Sequence, residues 1–190
     1  NWMHTISLKR ILIYLVLLVT SFALLIGFTI NIVSQVGQFE KSLQEQALSY
    51  TRIIASNAAR TIVFDDSASE KQRLGTFQNT PFIEHIHVYK MDETSGQLTF
   101  FSSYNKQGLA PIPARFSKLE RLTSPKVNDS NIEVSQPVTL DGEVIGYVYL
   151  RGSLEQVWLF MWRSIAVAIV VALVTLLACW LATLRLRKAI

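Results

Sequence analysis

Two stretches of the chain carry no charge at all: residues 11–33, ILIYLVLLVTSFALLIGFTINIV, and residues 164–184, SIAVAIVVALVTLLACWLATL. A bilayer core of roughly 30 Å accepts about 20 apolar residues in a helix, and in lipid an isolated segment can satisfy its backbone only as a helix. Each stretch is long enough to span. The first is too long for the core of a cleaved leader and is not followed by a small-x-small cleavage pattern, so it reads as a retained anchor. This gives a five-part chain: an N-terminal flank 1–10, a first span 11–33, an external segment 34–163, a second span 164–184, and a C-terminal flank 185–190.

Charge orients the two spans. Lys9, Arg10, Arg185, Arg187 and Lys188 lie on their outer flanks, while all 14 acidic residues lie between the spans with the other 13 basic ones. The basic excess therefore belongs to the flanks, and the positive-inside rule puts both termini in the cytoplasm. Residues 34–163 are expected on the outer side of the membrane, in a two-pass protein. Trp158 and Trp162 before the second span, and Trp180 near its inner end, fit as interfacial anchors. The net charge of +4 is no signature of nucleic-acid binding, because the external segment is slightly acidic. Cys179 is the only cysteine and lies within the second span, so the external segment folds without disulfides.

Apolar residues continue beyond the first span at steps of three or four: Val36, Phe39, Leu43, Ala47, Tyr50, Ile54, Ala58 and Ile62. The spacing predicts one helix that leaves the membrane and runs over residues 36–62. Its narrow stripe suits packing on a sheet and against a second copy of itself. The pattern breaks at Phe64. Ser67 with Glu70 three residues later reads as a capping box for a short helix through Phe77, and Asp66 is the alternative cap. Strand-like runs follow: FIEHIHVYKM and QLTFFSSYNK around DETSG, then NIEVSQPVTL and EVIGYVYLRG around Asp141-Gly142, a strong hairpin signal. Between the hairpins, PARFSKLERL reads as a short helix or turn.

Few residues suggest chemistry. Asp65 and Asp66 are adjacent carboxylates, but no His, Cys or third acid stands nearby, and neighbouring side chains diverge, so capping at a helix junction formed by Phe64, Asp66 and Ser67 is preferred to a metal site. Asp65 remains the weak ligand-binding candidate of the pair. His85, His87 and Tyr89 share one face of a strand and are further weak candidates for a ligand or a pH response. Two imidazoles without a third ligand make no metal site, so these are expected to face solvent while Ile86 and Val88 face the core. There is no G-x-S-x-G turn, no Gly-rich phosphate loop and no cysteine outside the membrane, so no catalytic residue, resident metal or cofactor is expected.

The stretches ASNAARTIVFDDSASEKQRLGTF and VSQPVTLDGEVIGYVYLRGSLEQVW, placed between two spans, resemble the CHASE8-type periplasmic sensor domain of bacterial membrane signalling proteins. The residues carrying the resemblance are Ala58, Ala59, Phe64, Asp66, Ala68, Leu74, Pro137, Val138, Gly142, Ile145, Gly146 and Leu150. It implies an α+β fold, a PAS/Cache-like antiparallel sheet with a long N-terminal helix, bracketed by two transmembrane helices. It also implies a sensory input half that detects a small periplasmic ligand or a regulatory protein, as a homodimer. LRLRKAI then looks like the start of a HAMP linker leading to an output module, a diguanylate cyclase before a histidine kinase. On this reading the chain is a fragment of a longer receptor. The competing classes are the input half of a chemoreceptor and a structural membrane assembly subunit.

Within the bilayer, Ala23 and Gly27 on the first span and Ala168 and Ala172 on the second form two small-xxx-small strips. Depth matching places Gly27 opposite Ala168 and Ala23 opposite Ala172, a close contact coupling the spans.

Overall fold

The computed structural model of the chain describes residues 2–188, which fall into two units: residues 39–157, and the helical segments on either side. Helix α1 (Trp2–Val63) runs unbroken for 62 residues, about 90 Å. No proline interrupts it, and its leucine, alanine and glutamine content favours helix throughout. Helix α3 (Glu155–Lys188) closes the chain. Residues 189 and 190, the end of the expected linker, lie outside the described residues. Both helices contain windows long and apolar enough to cross a membrane, with mean hydropathy 2.7 and 2.8 and no buried residues.

In the helical unit, α1 and α3 face each other along a seam. Ser21, Leu24, Phe28 and Ile32 of α1 line it with Ile165, Ala168, Ala172 and Leu176 of α3. Half of the expected packing is corrected here. Ala168 and Ala172 line the seam, but Ala23 and Gly27 are exposed, and a Cβ added at Gly27 would meet nothing within 4 Å. The reason is angular: the α1 seam passes through Leu24, Phe28 and Ile32 at steps of four, and Ala23 and Gly27 sit one residue before that line, about 100° around the helix.

The other unit is a five-stranded antiparallel sheet with α1 residues on one side. Helix α2 (Ser67–Leu74) tightens into a 3-10 turn, Gly75–Asn79, so the expected helix through Phe77 is two pieces. The strands are β1 (Ile83–Met91), β2 (Leu98–Asn105), β3 (Lys126–Val127), β4 (Asn131–Leu140) and β5 (Glu143–Ser153), in the spatial order β2-β1-β5-β4-β3. The α+β expectation holds in class and in its two hairpins; the short edge strand β3 was not expected. Asp141 and Gly142 both have positive φ, +51° and +83°, as a two-residue type I′ hairpin requires.

This order fixes what covers the sheet. β2 and β3 lie at opposite edges, so residues 106–125 between them must cross the whole sheet, about 19 Å at the usual strand spacing. One face, with Ile86, Val88, Val134, Val148 and Leu150, is apolar and fully buried. Leu43, Ala47, Ile54, Ala58 and Ile62 form the buried stripe of α1, and Ile62 lies over Gly146 of β5 on this face. Burying each large aliphatic side chain contributes about 1.5–3 kcal/mol, so this contact dominates the fold. Glycine is required at position 146: a Cβ there would collide with the carbonyl oxygen of Tyr89 and stand 3.1 Å from Ile62 Cδ1.

Candidate functional site

The opposite face is polar and aromatic. His87, Tyr89, Tyr147, Tyr149, Glu133 and Ser135 are all buried on it, although strand alternation alone makes no such demand. The expectation that His85, His87 and Tyr89 face solvent is therefore corrected. They do share one face, but they are 4%, 3% and 0% exposed. For Tyr89 the cause is the crossing connector: its 3-10 turn, Leu119–Thr123, buries Leu119 and Leu122 against Tyr89, Tyr147 and Tyr149.

Polar groups fasten this roof to the sheet. Arg115 donates its backbone N–H to the Tyr89 hydroxyl at 2.8 Å, and its guanidinium lies 3.5 Å from Glu133 Oε2. The Ser135 hydroxyl donates to the carbonyl of Leu119. Glu133 and Arg151 are register partners on β4 and β5. Glu133 Oε1 accepts from the Tyr149 hydroxyl at 2.7 Å and from Arg151 Nη2 at 3.1 Å, and Arg151 Nε donates to the Tyr149 oxygen at 3.1 Å. One buried carboxylate thus gathers a tyrosine from the sheet, an arginine from the sheet and an arginine from the roof.

Proton positions follow from these partners. The Tyr89 oxygen accepts the Arg115 N–H and lies 2.8 Å from His87 Nδ1, a geometry that suits a Tyr89 O–H donating to an unprotonated Nδ1. In that tautomer His87 is a neutral imidazole with its proton on Nε2. Burial, then electrostatic repulsion from His85 and from the Arg151 guanidinium, push the His87 pKa down to about 4. Burial also raises Tyr89, with Arg115 opposing. Tyr149 is raised further by burial and then by the hydrogen bond to Glu133. Burial alone would raise Glu133, but the hydrogen bonds from Tyr149 and Arg151 and the charges of Arg151 and Arg115 outweigh it, and its pKa is lowered. His87 also stands edge-on to Tyr89 and Phe100, with ring centroids 5.8 and 5.9 Å away. His85 is separate, bonded at 2.8 Å to Asn105 on β2.

The junction after α1 is a different kind of place. Asp65 takes φ +53°, the left-handed region that ends a helix, and its exposed carboxylate stands 3.3 Å from Lys90. Asp66 is the N-cap of α2, accepting from Ser69 N–H at 3.1 Å and Ser69 Oγ at 2.6 Å. Of the two caps left open by the sequence, this is the alternative; Ser67 is the first helical residue. Glu70 does not close a capping box: it is fully buried, its Oε2 accepting from Thr61 at 2.7 Å and its Oε1 without a hydrogen-bond partner. Phe64 is 72% exposed. Asp65 and the His87–Tyr89 pair lie in separate places, so the structure does not gather the weak ligand candidates into one site.

Sequence reasoning missed Glu133, Tyr149, Arg151 and Arg115, and it gave Glu70 a capping role in place of its buried bond to Thr61. No group of three or more His, Cys, Asp or Glu suited to a metal ion occurs among the described residues.

A family model, CHASE8, described as a periplasmic sensor domain, matches residues 39–151. No curated protein matches the chain. Among solved structures it is similar to the nlh2 GAF domain of A. Aeolicus crystallised in an inactive state, at 19% identity and a TM-score of 0.32, covering 63% of this chain and 91% of that one. The family match spans more than half of the chain, from the outer part of α1 through the sheet to Arg151. The chain belongs to the CHASE8 family of periplasmic sensor domains.

Proposed function

We propose that this chain is the input half of a bacterial two-pass receptor, with residues 34–163 in the periplasm, both termini in the cytoplasm, and an output module beyond a HAMP-type linker beginning at residue 185. The observation that carries this reading is the way the sensor unit is joined to its helices. α1 passes from the apolar segment into the sensor unit without a break, and a single residue, Leu154, separates β5 from α3. Leu154 is buried and donates its N–H to Ser130 at 3.0 Å, while Ser153 donates to Phe82 at 2.7 Å.

The input is a small periplasmic ligand or a regulatory protein that favours one seating of the roof 106–125 over another. Only a differential affinity for two seatings can shift the output. β1 and β5 lie between the roof on one face and α1 on the other, so a change in how the roof grips Tyr89 and Tyr149 reaches the strand that leads into α3. The receptor acts as a homodimer through residues 36–62 of α1, where Ile53 is 55% exposed away from the sheet. By family resemblance we favour a diguanylate cyclase making cyclic di-GMP as the output, which places catalysis in that module and sensing in this one.

The test is a helical-phase series. Residues 1–190 are fused to a cyclase module, and alanines are inserted in α1 between Gly37 and Gln38. One inserted residue rotates the sensor by about 100°, whereas seven restore it to within about 20°. Cyclic di-GMP output should change with one and return with seven. Output indifferent to both insertions would remove helix-borne signalling. Thiol labelling of Ser95→Cys in a Cys179→Ala background, from the periplasmic side only, checks the topology independently.

A further inference from the structure

Where α1 and α3 approach their charged ends, the seam between them opens into a groove of about 300 Å³ lined by Arg10, Ile13, Tyr14, Leu17, Trp180 and Leu184, with Thr183 at its wall. The lining is graded. Half-buried Ile13 and Leu17 form an apolar floor that the more exposed Leu184 extends, Tyr14 and Trp180 are amphipathic rings of the kind that sit at headgroup depth, and exposed Arg10 is the one charged residue of the lining. The Thr183 hydroxyl donates to the Cys179 carbonyl at 2.8 Å, which leaves its oxygen free to accept only.

Charge decides what can occupy the groove. Residues 1–38 and 158–190 contain no aspartate or glutamate, yet they contain Lys9, Arg10, Arg163, Arg185, Arg187 and Lys188. No side chain within residues 1–38 or 158–190 can neutralise Arg10, whose exposed guanidinium is open to an anion at the groove. A second copy of these helices would bring the same acid-free sequence: it could fill the floor but not pair the guanidinium. A free phosphate could pair the guanidinium but would leave the apolar floor uncovered. A molecule with a phosphate at one end and a hydrocarbon chain at the other satisfies both.

We propose that this groove binds an anionic phospholipid, with its headgroup phosphate on Arg10 and an acyl chain along Ile13, Leu17 and Leu184. That the lipid belongs to the cytoplasmic leaflet rests on the topology proposed above; the chemistry of the groove does not. A second opening along the seam, about 240 Å³ and lined by residues such as Leu24, Phe28, Ile165 and Ala168, contains no charged side chain. It serves as the internal contrast, since it should accept hydrocarbon without regard to headgroup. A lipid held at the inner end would bridge α1 and α3 beside residue 185, where signals leave the membrane, so headgroup composition would tune the coupling.

Trp180 lines the groove and reports on it. The full chain, with Trp2, Trp158 and Trp162 replaced by Phe, is reconstituted in phosphatidylcholine nanodiscs doped with acyl-brominated phosphatidylglycerol or, separately, acyl-brominated phosphatidylcholine at the same fraction. The brominated anionic lipid should reach half-maximal quenching of Trp180 at about one-fifth the fraction needed by the neutral one, the preference expected of one cation meeting an anionic headgroup. Arg10→Gln should abolish the preference, and Thr183→Leu, which narrows the mouth while keeping every charge, should reduce it. Arg163→Gln, at the other end of α3, should leave it intact. Equal quenching by the two lipids, or a preference that survives both Arg10→Gln and Thr183→Leu, overturns the site. So does loss of the preference on adding inorganic phosphate, which would assign the groove to a free anion, and so does a Trp180 that neither lipid reaches because a second copy covers it. Both nanodisc leaflets carry the same lipid, so an inverted topology would appear only in the Ser95 labelling and leave this result unchanged.

Discussion

The two faces of the sheet are built from opposite materials. The face under α1 is aliphatic and dry, with Ile86, Val88, Val134, Val148 and Leu150 at 0% exposure. The face under the connector buries a carboxylate, two tyrosine hydroxyls and a histidine, all cross-bonded, beneath a segment with one turn of regular structure. Close-packed aliphatic contacts are non-directional and move as a block, which suits an element that transmits. A hydrogen-bonded network has discrete partners and can exchange one set for another, which suits an element that responds. Under the proposed function, response belongs to the roof and transmission to α1, and that division can be attacked from either side.

The largest effect is expected on the transmitting face. Gly146→Val forces a branched side chain against the Tyr89 carbonyl and Ile62, so β5 must part from β1 or α1 must lift. Overpacking of this kind costs about 3 kcal/mol or more when backbone stands in the way. Near-UV circular dichroism during denaturation measures it, because five of the six tyrosines belong to the sensor unit. Wild-type stability in Gly146→Val would show that α1 is not seated as described.

Next in size is a pH effect confined to the roofed face. His87 has a folded pKa near 4 against an ordinary value of 6.5. The unfolded chain therefore binds the proton first, and stability falls as pH drops from about 6.5 towards 4, by on the order of 2–3 kcal/mol. His87→Phe, which keeps an aromatic ring among Tyr89, Phe100 and Tyr149, should flatten the curve over that window. Glu133 has a lowered folded pKa, so its contribution is present above its ordinary value of 4.5 and disappears as pH falls below it. The two windows separate the groups. If His87→Phe leaves the slope between pH 6.5 and 4.5 unchanged, the neutral, Tyr89-bonded imidazole is wrong.

Glu133→Ala comes third. It removes the acceptor shared by Tyr149, Arg151 and Arg115 and leaves them facing one another. Breaking a fully buried pair costs about 3–5 kcal/mol, but both guanidiniums reach solvent, so about 2 kcal/mol is expected. The more telling readout is local. Amide hydrogen exchange should quicken in residues 112–123 and stay slow in residues 43–62 of α1. Uniform quickening across both would dissolve the distinction between the faces.

How far the sequence could be read followed the same division. The dry face was legible because its signals are periodic: steps of three and four put Leu43, Ala47, Ile54, Ala58 and Ile62 on one side of α1. The Asp141-Gly142 turn likewise identified the last hairpin. The roofed face was not, for two physical reasons. Counting outward from Asp141-Gly142 in strict register would set Glu133 against Leu150, but a bulge at Ile145 shifts the pairing by one and brings Glu133 against Arg151. Burial of His87 and Tyr89 depends on the strand order, which sends the connector across that face, and no local pattern in β1 records it. In the helical unit, Ala168 and Ala172 of α3 line the seam, whereas on α1 it is Leu24 and Phe28 that do so and not Ala23 and Gly27.

The smallest expected effect tests whether the acidic junction belongs to the responding region at all. Asp66 is an exposed N-cap whose pKa is lowered by the Ser69 side-chain and backbone hydrogen bonds. Capping needs an acceptor oxygen and not a charge, since asparagine satisfies the same helix N–H groups about as well. Asp66→Ala should therefore lower the Tm of the sensor unit by a few degrees, and Asp66→Asn by less than that. Neither should alter the basal output of the cyclase fusion beyond what the loss of folded protein accounts for. Ser69→Ala, which removes the hydroxyl donor but keeps the backbone N–H, should fall between the two. If Asp66→Asn instead changes output while Tm and near-UV spectrum are unaltered, the carboxylate itself is read by a partner. The responding region would then extend from the roof to the junction where α1 ends.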